Sequence, residues 1–449
     1  LTGTFGAGAT AIMHPSQGPR GTLTTGNTTT KVVLSTALPA AVAINQLANR
    51  GDGTGYRIAI VGNSAGGSGK VEYRTIVANT AGTTPTIWLD SALTFTPASG
   101  DGYEIRAGRV FLLSAGTLAA GMWKYYDIAT NSFSGNLATT NLPATVGGDS
   151  SCVALSEVHV PNDRKPNEGM VVGAGTYDGT KYACVVATAS GATSITAAGL
   201  PSDLQADEYR NFQVRVVEDT GTPTAVGQRR RISTHTGGAT AVFTVAAWSV
   251  TPSATAKFVI ENDDDKIVLF TNQTAVYNYN ITGNTWDTAT WAAAANAGGA
   301  GLVAEQAFGI TRDTTNNARH SHIYRVRGGN VATVDVFDIA GASTGSWSAD
   351  IAYQNKGGTL FNTGTSGAYD PATKAGRFLH LNISGTQRFA RFDMRNRVLD
   401  PGTYLRFTQG AALVGGKMAW TPFVDGTTKL GLVYALTNSQ AYMFSSVVQ

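Results

Sequence analysis

The sequence predicts an all-β protein: a β-propeller of about six blades with two small antiparallel β-modules, one N-terminal and one inserted. Three observations lead to this prediction. Helical periodicity is nearly absent, short β-type runs alternate with Gly- and Asn-rich turn clusters, and two kinds of internal repeat recur along the 449 residues. Repeats of this kind are typical of architectures in which similar units stack on one another.

The composition favours a protein that meets other proteins on many sides. Only 14% of the residues are charged, against about 25% in an ordinary soluble domain, and 53 glycines supply turns. The net charge of +3 is too small to indicate nucleic acid or a membrane surface as a partner. No apolar run reaches the roughly 18 residues of a membrane-spanning helix. We therefore expect neither sequence-specific nucleic-acid binding nor membrane insertion.

The first repeat is a module of about 50 residues that occurs twice, over residues 56–105 and 212–260. The copies align at one constant offset, with a one-residue gap before the last strand. Each copy alternates apolar and polar residues in short runs, which predicts a small sheet with one face on a core. The matched positions are Tyr56, Ile58, Ile60, Arg74, Ile76, Leu89, Pro97, Tyr103 and Ile105 against Phe212, Val214, Val216, Arg230, Ile232, Val245, Pro252, Phe258 and Ile260.

The second repeat places an aromatic residue, then Asp or Asn, then Ile or Met, after an apolar strand. Its four copies are Tyr126-Asp127-Ile128, Tyr279-Asn280-Ile281, Phe337-Asp338-Ile339 and Phe392-Asp393-Met394. A turn and a bulky residue follow each copy, namely Phe133, Trp286, Trp347 and Val398. Two degenerate units fit near 170–200 and 417–444.

Each unit of the second repeat is expected to be a four-stranded blade. The Asp or Asn is predicted to cap the turn between the third and fourth strands, because its side chain bonds readily to the local backbone. The bulky residue is predicted to pack between adjacent blades, which stack and close into a propeller. The chain then divides into an N-terminal module (1–108), first blades (109–206), the duplicate module in a blade-to-blade loop (207–262) and remaining blades (263–449).

Two stretches, Tyr-Asp-Ile-Ala-Thr-Asn-Ser-Phe at 126–133 and Tyr-Asn-Ile-Thr-Gly-Asn-Thr-Trp at 279–286, resemble kelch-type propeller blades. The kelch Gly-Gly pair is not cleanly present in every unit, so the propeller is kelch-like. The duplicated module resembles small β-modules of tailed-phage structural proteins, through Arg229-Arg230-Arg231-Ile232, 241–246 and 252–260. Together the resemblances cover roughly residues 50–449. They imply a virion protein of the phage neck or tail, with portal, adaptor, tail or tube proteins as partners.

Few residues suggest chemistry, and we expect no cofactor. His320 and His322 alternate on a predicted strand, a spacing that can bind a metal, but no third ligand is evident. Residues 263–265 are three aspartates without the spacing of a calcium loop, so a solvated turn is favoured. Residues 62–70 lack the Ser or Thr and the helix of a phosphate loop. Cys152 and Cys184 could form one bridge, but buried thiols are favoured.

Two basic stretches are candidate interface residues. Arg229, Arg230 and Arg231 lie on a predicted strand, so their side chains should alternate; pairing with acidic groups of a neighbouring subunit is favoured over phosphate contact. Arg388, Arg391, Arg395 and Arg397 surround the Phe392 unit. They would lie near DNA if the protein rings a channel, but a solvated or interface surface is the favoured interpretation.

Three hypotheses of function follow. The leading one is a non-enzymatic structural component of a tailed-phage virion, a neck or tail ring, collar or nozzle-type protein that assembles as a homo-oligomer. The second is a receptor- or glycan-binding tail fibre or spike, or a capsid-decorating protein. In it Trp88, Trp248, Trp286, Trp291 or Trp347 would stack on sugars, although most are better explained as core. The third, a propeller enzyme acting on glycans, has no matched catalytic pair.

Overall fold

Strands form almost all of the regular structure, which confirms the all-β prediction. In the computed structural model the described residues are 9–14, 17–39, 42–49, 55–64, 68–147, 150–155, 185–200, 202, 204–261, 263, 265–271, 273–287, 291–293, 304–307, 322–327, 333–347, 351–352, 366–370, 378–383, 388–393, 398–399, 405–406, 417–425, 428–436 and 441–446. Within these ranges the helical turns are short 3-10 turns at Gln46–Ala48 and Pro223–Ala225.

Successive antiparallel sheets follow the chain, numbered here 1 to 5. Sheet 1 contains β1 (Thr10–His14), β8 (Arg109–Leu113), β10 (Trp123–Asp127) and β11 (Ser132–Phe133), and sheet 2 contains β13 (Ser151–Leu155), β20 (Lys266–Phe270), β21 (Val276–Asn280) and β22 (Thr285–Asp287). A two-stranded ribbon joins β9 (Gly116–Thr117) to β12 (Thr145–Val146).

The later sheets have the same succession of hairpins. Sheet 3 contains β23 (Ala304–Ala307), β24 (His322–Arg327), β25 (Thr333–Asp338), β26 (Ser346–Trp347) and β27 (Ile351–Ala352). Sheet 4 contains β28 (Ser366–Asp370), β29 (Phe378–Ile383), β30 (Arg388–Asp393), β31 (Val398–Leu399) and β32 (Leu405–Arg406). Sheet 5 contains β33 (Lys417–Asp425), β34 (Thr428–Leu436) and β35 (Ala441–Ser446).

The duplicated modules are two small barrels. The first barrel contains β2 (Arg20–Thr22), β3 (Lys31–Val33), β4 (Arg57–Gly62), β5 (Lys70–Asn79), β6 (Thr86–Leu89) and β7 (Gly102–Arg106). The second barrel contains β14 (Val185–Gly191), β15 (Ser194–Ala198), β16 (Gln213–Glu218), β17 (Arg229–His235), β18 (Thr240–Val245) and β19 (Lys257–Glu261). Each barrel encloses its own cluster of buried apolar side chains.

Strand pairing closes each barrel. In the second barrel the circuit runs β14-β15-β18-β17-β16-β19 and returns to β14. The first barrel follows the matching order β2-β3-β6-β5-β4-β7, in which the bridge between Leu23 and Leu34 links β2 to β3. A closed circuit leaves no unpaired edge strand. The backbone hydrogen bonds of each barrel are therefore satisfied without the sheets.

Each barrel is inserted between the first and second strands of a sheet. β1 and β8 flank the first barrel and pair with each other, and β13 and β20 do the same around the second barrel. The prediction that the second module lies in a blade-to-blade loop is therefore wrong, because the pairing of β13 with β20 places it inside sheet 2. Such pairing joins segments that are distant in the chain, and local sequence pattern does not encode it.

The sheet pairings also cross the predicted segment boundaries. β1 falls within 1–108 but completes sheet 1, and β14 and β15 fall within 109–206 but complete the second barrel. A degenerate blade unit was expected near 170–200; the described part of it, β14 and β15, belongs to the barrel instead. An alternating pattern identifies a strand and its buried face, but not the partner strand.

Sheets 1, 2 and 3 pack face against face. On β20, Ile267 and Leu269 join a cluster with Trp123 of sheet 1, whereas Val268 and Phe270 join a cluster with residues of sheet 3. Alternate side chains thus bury both faces of sheet 2, which explains the continuous apolar run of β20. The first strands of successive sheets are also neighbours, in the order β1, β13, β23, β28 and β33.

The predicted turn caps are confirmed in the three copies whose side chains are described. The backbone N–H of Thr130 donates to Asp127 Oδ1 at 3.2 Å, and that of Gly283 donates to Asn280 Oδ1 at 2.6 Å. In sheet 3, Asp338 Oδ1 accepts a bond from the backbone N–H of Ala340, two residues later, at 2.9 Å. Each cap closes the turn between the third and fourth strands of its sheet. The side chain of Asp393 lies outside the described residues.

The predicted packing of the bulky residues is confirmed for two copies. Trp286 belongs to the cluster between sheets 1 and 2, and Trp347 packs against the cluster between sheets 2 and 3. The prediction is wrong for Phe133, whose side chain is 59% exposed. Phe133 lies on sheet 1, and its one described ring contact is with Tyr126 on the neighbouring strand of the same sheet. The Val398 side chain lies outside the described part of the chain.

Across the described ranges, no helix has the length and apolar character needed to cross a membrane.

Candidate interface site

Three arginines begin β17, and their side chains alternate in direction as expected for a strand. Arg229 bonds to a residue of the first barrel and Arg231 to a carbonyl oxygen in the turn of sheet 3. Arg230, between them, bonds within its own barrel. The basic stretch therefore divides into two residues that join separate units and one that stabilises a single unit.

Arg230 is a structural anchor of the second barrel. Its Nε donates to the carbonyl oxygen of Ala247 at 2.8 Å, and its Nη2 donates to Gln228 Oε1 at 3.2 Å. Arg74, at the matching position of the first barrel, donates from Nε to Ala92 O at 3.1 Å. Both arginines also donate from Nη1 to the carbonyl oxygen of the preceding residue at 2.7 Å. Because both copies use the same contacts, we assign Arg230 to barrel folding.

Glu104 on β7 joins two arginines from different units. Its Oε2 lies 3.3 Å from Arg229 Nη2 of the second barrel, and its Oε1 lies 3.7 Å from Arg20 Nη2 of the first. The Glu104 side chain is only 12% exposed, so water screens these charges weakly. Arg20 also reaches the turn of sheet 2, where its Nη1 donates to Thr282 Oγ1 at 3.4 Å. This ion-pair cluster connects both barrels to sheet 2.

Arg231 connects the second barrel to sheet 3. Its Nη2 donates to Asn211 Oδ1 at 2.6 Å and to Ser343 O at 3.2 Å. Burial lowers the pKa of Arg231, and the negative charges of Asp263 and Asp287 oppose that shift. The carboxylates thus compensate in part for removing the guanidinium from water.

Asn211 forms the other half of this connection. Its Nδ2 donates to Ile339 O at 2.6 Å and to Ala342 O at 2.9 Å, both in the turn that Asp338 caps. Its backbone is left-handed, with φ of 70°, a conformation that Asn tolerates better than most residues. One amide side chain therefore satisfies two carbonyl oxygens of sheet 3 and one guanidinium of the second barrel.

The barrels also contact each other directly. Arg215 Nη1 of the second barrel donates to the Tyr73 hydroxyl of the first at 2.7 Å in a buried setting. The side chains of Val61 and Val71, from the first barrel, pack against the core cluster of the second. The two barrels therefore share a mixed apolar and polar contact.

A cleft of about 570 Å³ lies where both barrels meet sheet 2. Its described lining has five cationic and three anionic side chains and no His, Cys, Ser or Tyr, so it offers no nucleophile beside an imidazole base. Asp265 Oδ1 is bonded to the Thr282 backbone N–H at 2.9 Å and to its hydroxyl at 2.6 Å. The lining residues are Arg20, Glu104, Gln213, Gly227, Gln228, Arg229, Arg230, Arg231, Asp263, Asp265, Lys266, Asn280 and Thr282.

An apolar patch lies on the outside of the first barrel, formed by Ile44, Val77 and Trp88, which are 69%, 51% and 37% exposed. A shallow depression between them is almost wholly apolar. The matching positions for Val77 and Trp88 on the second barrel are Ser233 and Thr244. Because the second copy folds with polar residues there, the barrel architecture does not require the patch.

The structure separates the tryptophans that sequence analysis grouped together. Trp248, Trp286 and Trp291 are buried, and Trp347 is partly buried against the core. Trp88, which is 37% exposed, is the most exposed member of this group, and the core interpretation is confirmed for Trp248, Trp286 and Trp291.

Several other predicted residues lie outside the described structure. His320 and Arg395 are among them, as are the side chains of His322, Arg388 and Arg391. Cys152 is buried, and Cys184 is not described. Among the residues that are described, no group of three or more His, Cys, Asp or Glu side chains is placed to hold a metal ion.

Glu104, Arg20 and Asn211 are site residues that the sequence pattern does not predict. Glu104 aligns with Val259 in the duplicate module, so repeat matching gave no reason to single it out. Asn211 stands beside Phe212, the first matched position of the second copy. A polar residue preferring left-handed backbone at a module boundary is the signal that could have identified it.

No family model matches this sequence, and no curated protein matches it. Solved structures with some similarity include a Bacteroides thetaiotaomicron protein of unknown function, at 10% identity and a TM-score of 0.25, covering 56% of this chain and 67% of that one. An auxiliary nutrient binding protein from Bacteroides ovatus is 9% identical, with a TM-score of 0.26 and coverage of 97% and 85%. Dihydro-heme d1 dehydrogenase NirN is 10% identical, with a TM-score of 0.26 and coverage of 87% and 73%. At these scores none supports an argument about function.

Proposed function

We propose that this chain is a non-enzymatic structural component of a tailed-phage virion, a neck or tail ring, collar or nozzle-type protein. The observation that carries the proposal is the repeated arrangement of strand, barrel and hairpins in sheets 1 and 2. It presents two joined barrels beside a stack of sheets. Glu104, Arg231 and Asn211 connect the barrels to each other and to the sheet turns. Such an arrangement suits a protein that works through the geometry of its surfaces.

The stack of sheets is proposed to be a kelch-like propeller of about six blades. Three features support this: the burial of both faces of sheet 2, the succession of neighbouring first strands, and the repeated caps at Asp127, Asn280 and Asp338. In a propeller the first strand of each blade lies nearest the central axis, and insertions after it emerge together at one end.

The partners proposed are other virion proteins, namely portal, adaptor, tail or tube proteins, together with further copies of this chain. The low charge of the sequence and the apolar patch at Ile44, Val77 and Trp88 support contact with protein surfaces. The phage assignment itself is supported by the resemblance of the duplicated module.

The test is mass photometry of the purified full chain, followed by negative-stain imaging alone and after mixing with purified portal and tube proteins. A closed ring, or stoichiometric attachment to portal or tube, would support the structural role. A monomer that attaches to neither would overturn it. Class averages would also count the blades and show whether they close.

A second candidate function, receptor or glycan binding by a fibre, spike or capsid-decorating protein, is favoured by Trp88, which is 37% exposed at a shallow apolar depression. An exposed aromatic side chain can stack on the apolar side of a sugar. Binding of the chain to host cells and to isolated surface polysaccharide would test it. Trp88→Ala should then abolish binding, whereas Thr244→Ala, at the matching position of the second barrel, should not.

A further inference from the structure

His235, at the end of β17, holds the loop of the second barrel formed by residues 204–211. The backbone N–H of Tyr209 donates to His235 Nε2 at 2.8 Å, and His235 Nδ1 lies 2.8 Å from the carbonyl oxygen of Thr236. An amide N–H only donates and a carbonyl oxygen only accepts. The neutral imidazole with its proton on Nδ1 is therefore the form that satisfies both contacts.

Protonation of this imidazole is incompatible with the loop contact. A proton on Nε2 would face the N–H of Tyr209, so an attractive hydrogen bond would become a contact between two donors. His235 is 4% exposed, and its ring stacks on Tyr209 at 5.8 Å and lies 5.0 Å from Phe243. The new charge would therefore also be removed from water.

The first barrel makes the same contacts without a titratable group. There Asn79 takes the place of His235: its Oδ1 accepts the Leu47 N–H at 2.9 Å, and its Nδ2 donates to Thr80 O at 3.0 Å. The backbone N–H of Asn79 donates to Asn45 Oδ1 at 3.2 Å, just as that of His235 donates to Asp207 Oδ1 at 2.8 Å. Asn45 and Asp207 are also both left-handed, with φ of 60° and 62°.

Charged groups surround His235 on the loop side. Asp207 is ion-paired with Arg210, and Glu208 Oε2 accepts the Gln205 N–H at 3.1 Å. Burial lowers the pKa of His235; the Thr236 carbonyl and Asp207 raise it, and Arg210 lowers it. On β18 the facing side chain is Phe243, which carries no charge. Gln46 stands where the second barrel has Glu208 and bonds the Ala43 N–H at 2.9 Å.

The loop of residues 204–211 ends at the side chain that contacts sheet 3. Residues 209–211 connect Tyr209, bonded to His235, with Asn211, bonded to Ile339 O and Ala342 O. Asn211 Oδ1 also accepts a hydrogen bond from the guanidinium of Arg231. Release of Tyr209 would therefore loosen the side chain that joins the second barrel to sheet 3.

We propose that His235 is an acid-sensitive latch. Its protonation frees residues 204–211 from β17 and loosens the contact of the second barrel with sheet 3, while the first barrel, latched by Asn79, stays closed. Because native His235 binds a proton less readily than an unfolded histidine, the closed state is fully favoured above about pH 6.5. Below that pH, the equilibrium constant for loop closure falls by about tenfold per pH unit.

Native-state hydrogen exchange of the full chain between pH 7 and pH 5 tests this proposal, with rates corrected for intrinsic pH dependence. Residues 204–211 should lose about tenfold in protection per pH unit below about 6.5, while residues 43–49 keep theirs. The two loops make matched backbone contacts, so His14, buried in sheet 1, is a common background. Asp207 and Glu208 stand where the first loop has Asn45 and Gln46, so their own titration is tested separately by Asp207→Asn and Glu208→Gln.

The variant His235→Asn installs the side chain that the first barrel uses. It should keep the loop closed at pH 5, whereas Asp207→Asn should leave the acid loss in place. Equal pH dependence of the two loops in the native chain would overturn the latch, and so would an acid loss that persists in His235→Asn. If His235→Asn fails to fold, the loop comparison still supports the latch when the acid loss persists in both Asp207→Asn and Glu208→Gln. Disappearance of the acid loss in either carboxylate variant would overturn it.

Discussion

The indole Nε1 of Trp347 donates to the carbonyl oxygen of Ala292 at 2.9 Å. One sheet earlier, Trp286 makes the same contact with Ala138, also at 2.9 Å. In both cases the tryptophan of the fourth strand bonds the segment that leaves the preceding sheet. The contact therefore fixes the register between neighbouring sheets as well as filling the space between them.

Trp286→Phe keeps an aromatic ring between sheets 1 and 2 but removes the bond to Ala138 O. We expect it to lower the free energy of unfolding by about 1 kcal/mol, and Trp286→Ala to lower it by about 3–5 kcal/mol because a cavity forms. Urea unfolding followed by circular dichroism measures both. Phe133→Ala is the control: its exposed side chain should change stability by no more than about 0.5 kcal/mol. Similar losses for Phe133→Ala and Trp286→Ala would contradict the packing role.

Glu104→Gln should weaken the junction of the two barrels, because Arg20 and Arg229 both lose their carboxylate. The expected loss is about 1–2 kcal/mol, more than for a surface pair, because Glu104 is largely buried. Urea unfolding at low and high salt gives the value.

The matched control for Glu104→Gln is Glu218→Gln, which removes the more exposed pair of Glu218 with Lys257. It should cost about 0–1 kcal/mol. A double-mutant cycle of Glu104→Gln with Arg229→Met should show coupling. Additive losses in that cycle would mean that the two side chains do not interact.

Asn211→Gly should detach the second barrel from the turn of sheet 3 while leaving the left-handed backbone unstrained. Hydrogen exchange in residues 338–345 should rise, because Ile339 O and Ala342 O lose their donor. Asn211→Ala should be about 1 kcal/mol less stable than Asn211→Gly, since alanine adds strain at a positive φ. Unchanged exchange at 338–345 in Asn211→Gly would show that the amide does not hold this turn.

Alkaline titration should detect three buried tyrosines whose ionisation is delayed. Burial raises the pKa of Tyr103, Tyr277 and Tyr279; the neighbouring Thr36 side chain reduces the effect at Tyr103, and the neighbouring Trp123 side chain does so at Tyr279. These phenols should stay protonated when an unfolded tyrosine ionises near about pH 10. The unfolded chain then binds fewer protons than the folded one, so stability falls as pH rises above about 10.

Ultraviolet absorbance of phenolate measures this titration. In denaturant all 16 tyrosines should ionise in one step, whereas the native chain should show a delayed phase. Tyr279→Phe should reduce the delayed phase by one phenol. The same variant also removes the bond from Tyr279 to Asn284 Oδ1, so its fold is checked by circular dichroism first. A single native phase near pH 10 would show that these phenols are accessible.

Local pattern was enough to predict the elements and their turns. Alternating apolar residues marked the strands of both modules, and the aromatic-Asx pairs predicted caps that the structure shows at Asp127, Asn280 and Asp338. These features depend on side chains acting on their own backbone within a few residues. The duplication of the module was visible because matching side chains occupy matching cores, as Ile58 and Val214 do.

Partners of strands could not be predicted in the same way. Nothing in residues 10–14 indicates that β1 pairs with β8 across an entire barrel, and nothing in 185–198 distinguishes barrel strands from blade strands. The role of Arg229 was equally hidden, because the sequence favours acidic partners in a neighbouring subunit for this arginine. Its partner in the structure, Glu104, belongs to the same chain, more than one hundred residues earlier.

By itself, the sequence determined an all-β chain with two copies of one module and repeated capped hairpins, because period-2 burial and Asx turns are local properties. The tertiary structure decided that the modules close into barrels, that each sits inside a sheet, and that Arg229, Arg231 and Asn211 join separate units. Those outcomes depend on which distant surfaces bury one another. Neighbouring arginines therefore have different roles. Arg230 stabilises the second barrel, whereas Arg231 connects that barrel to sheet 3, because their side chains contact different units.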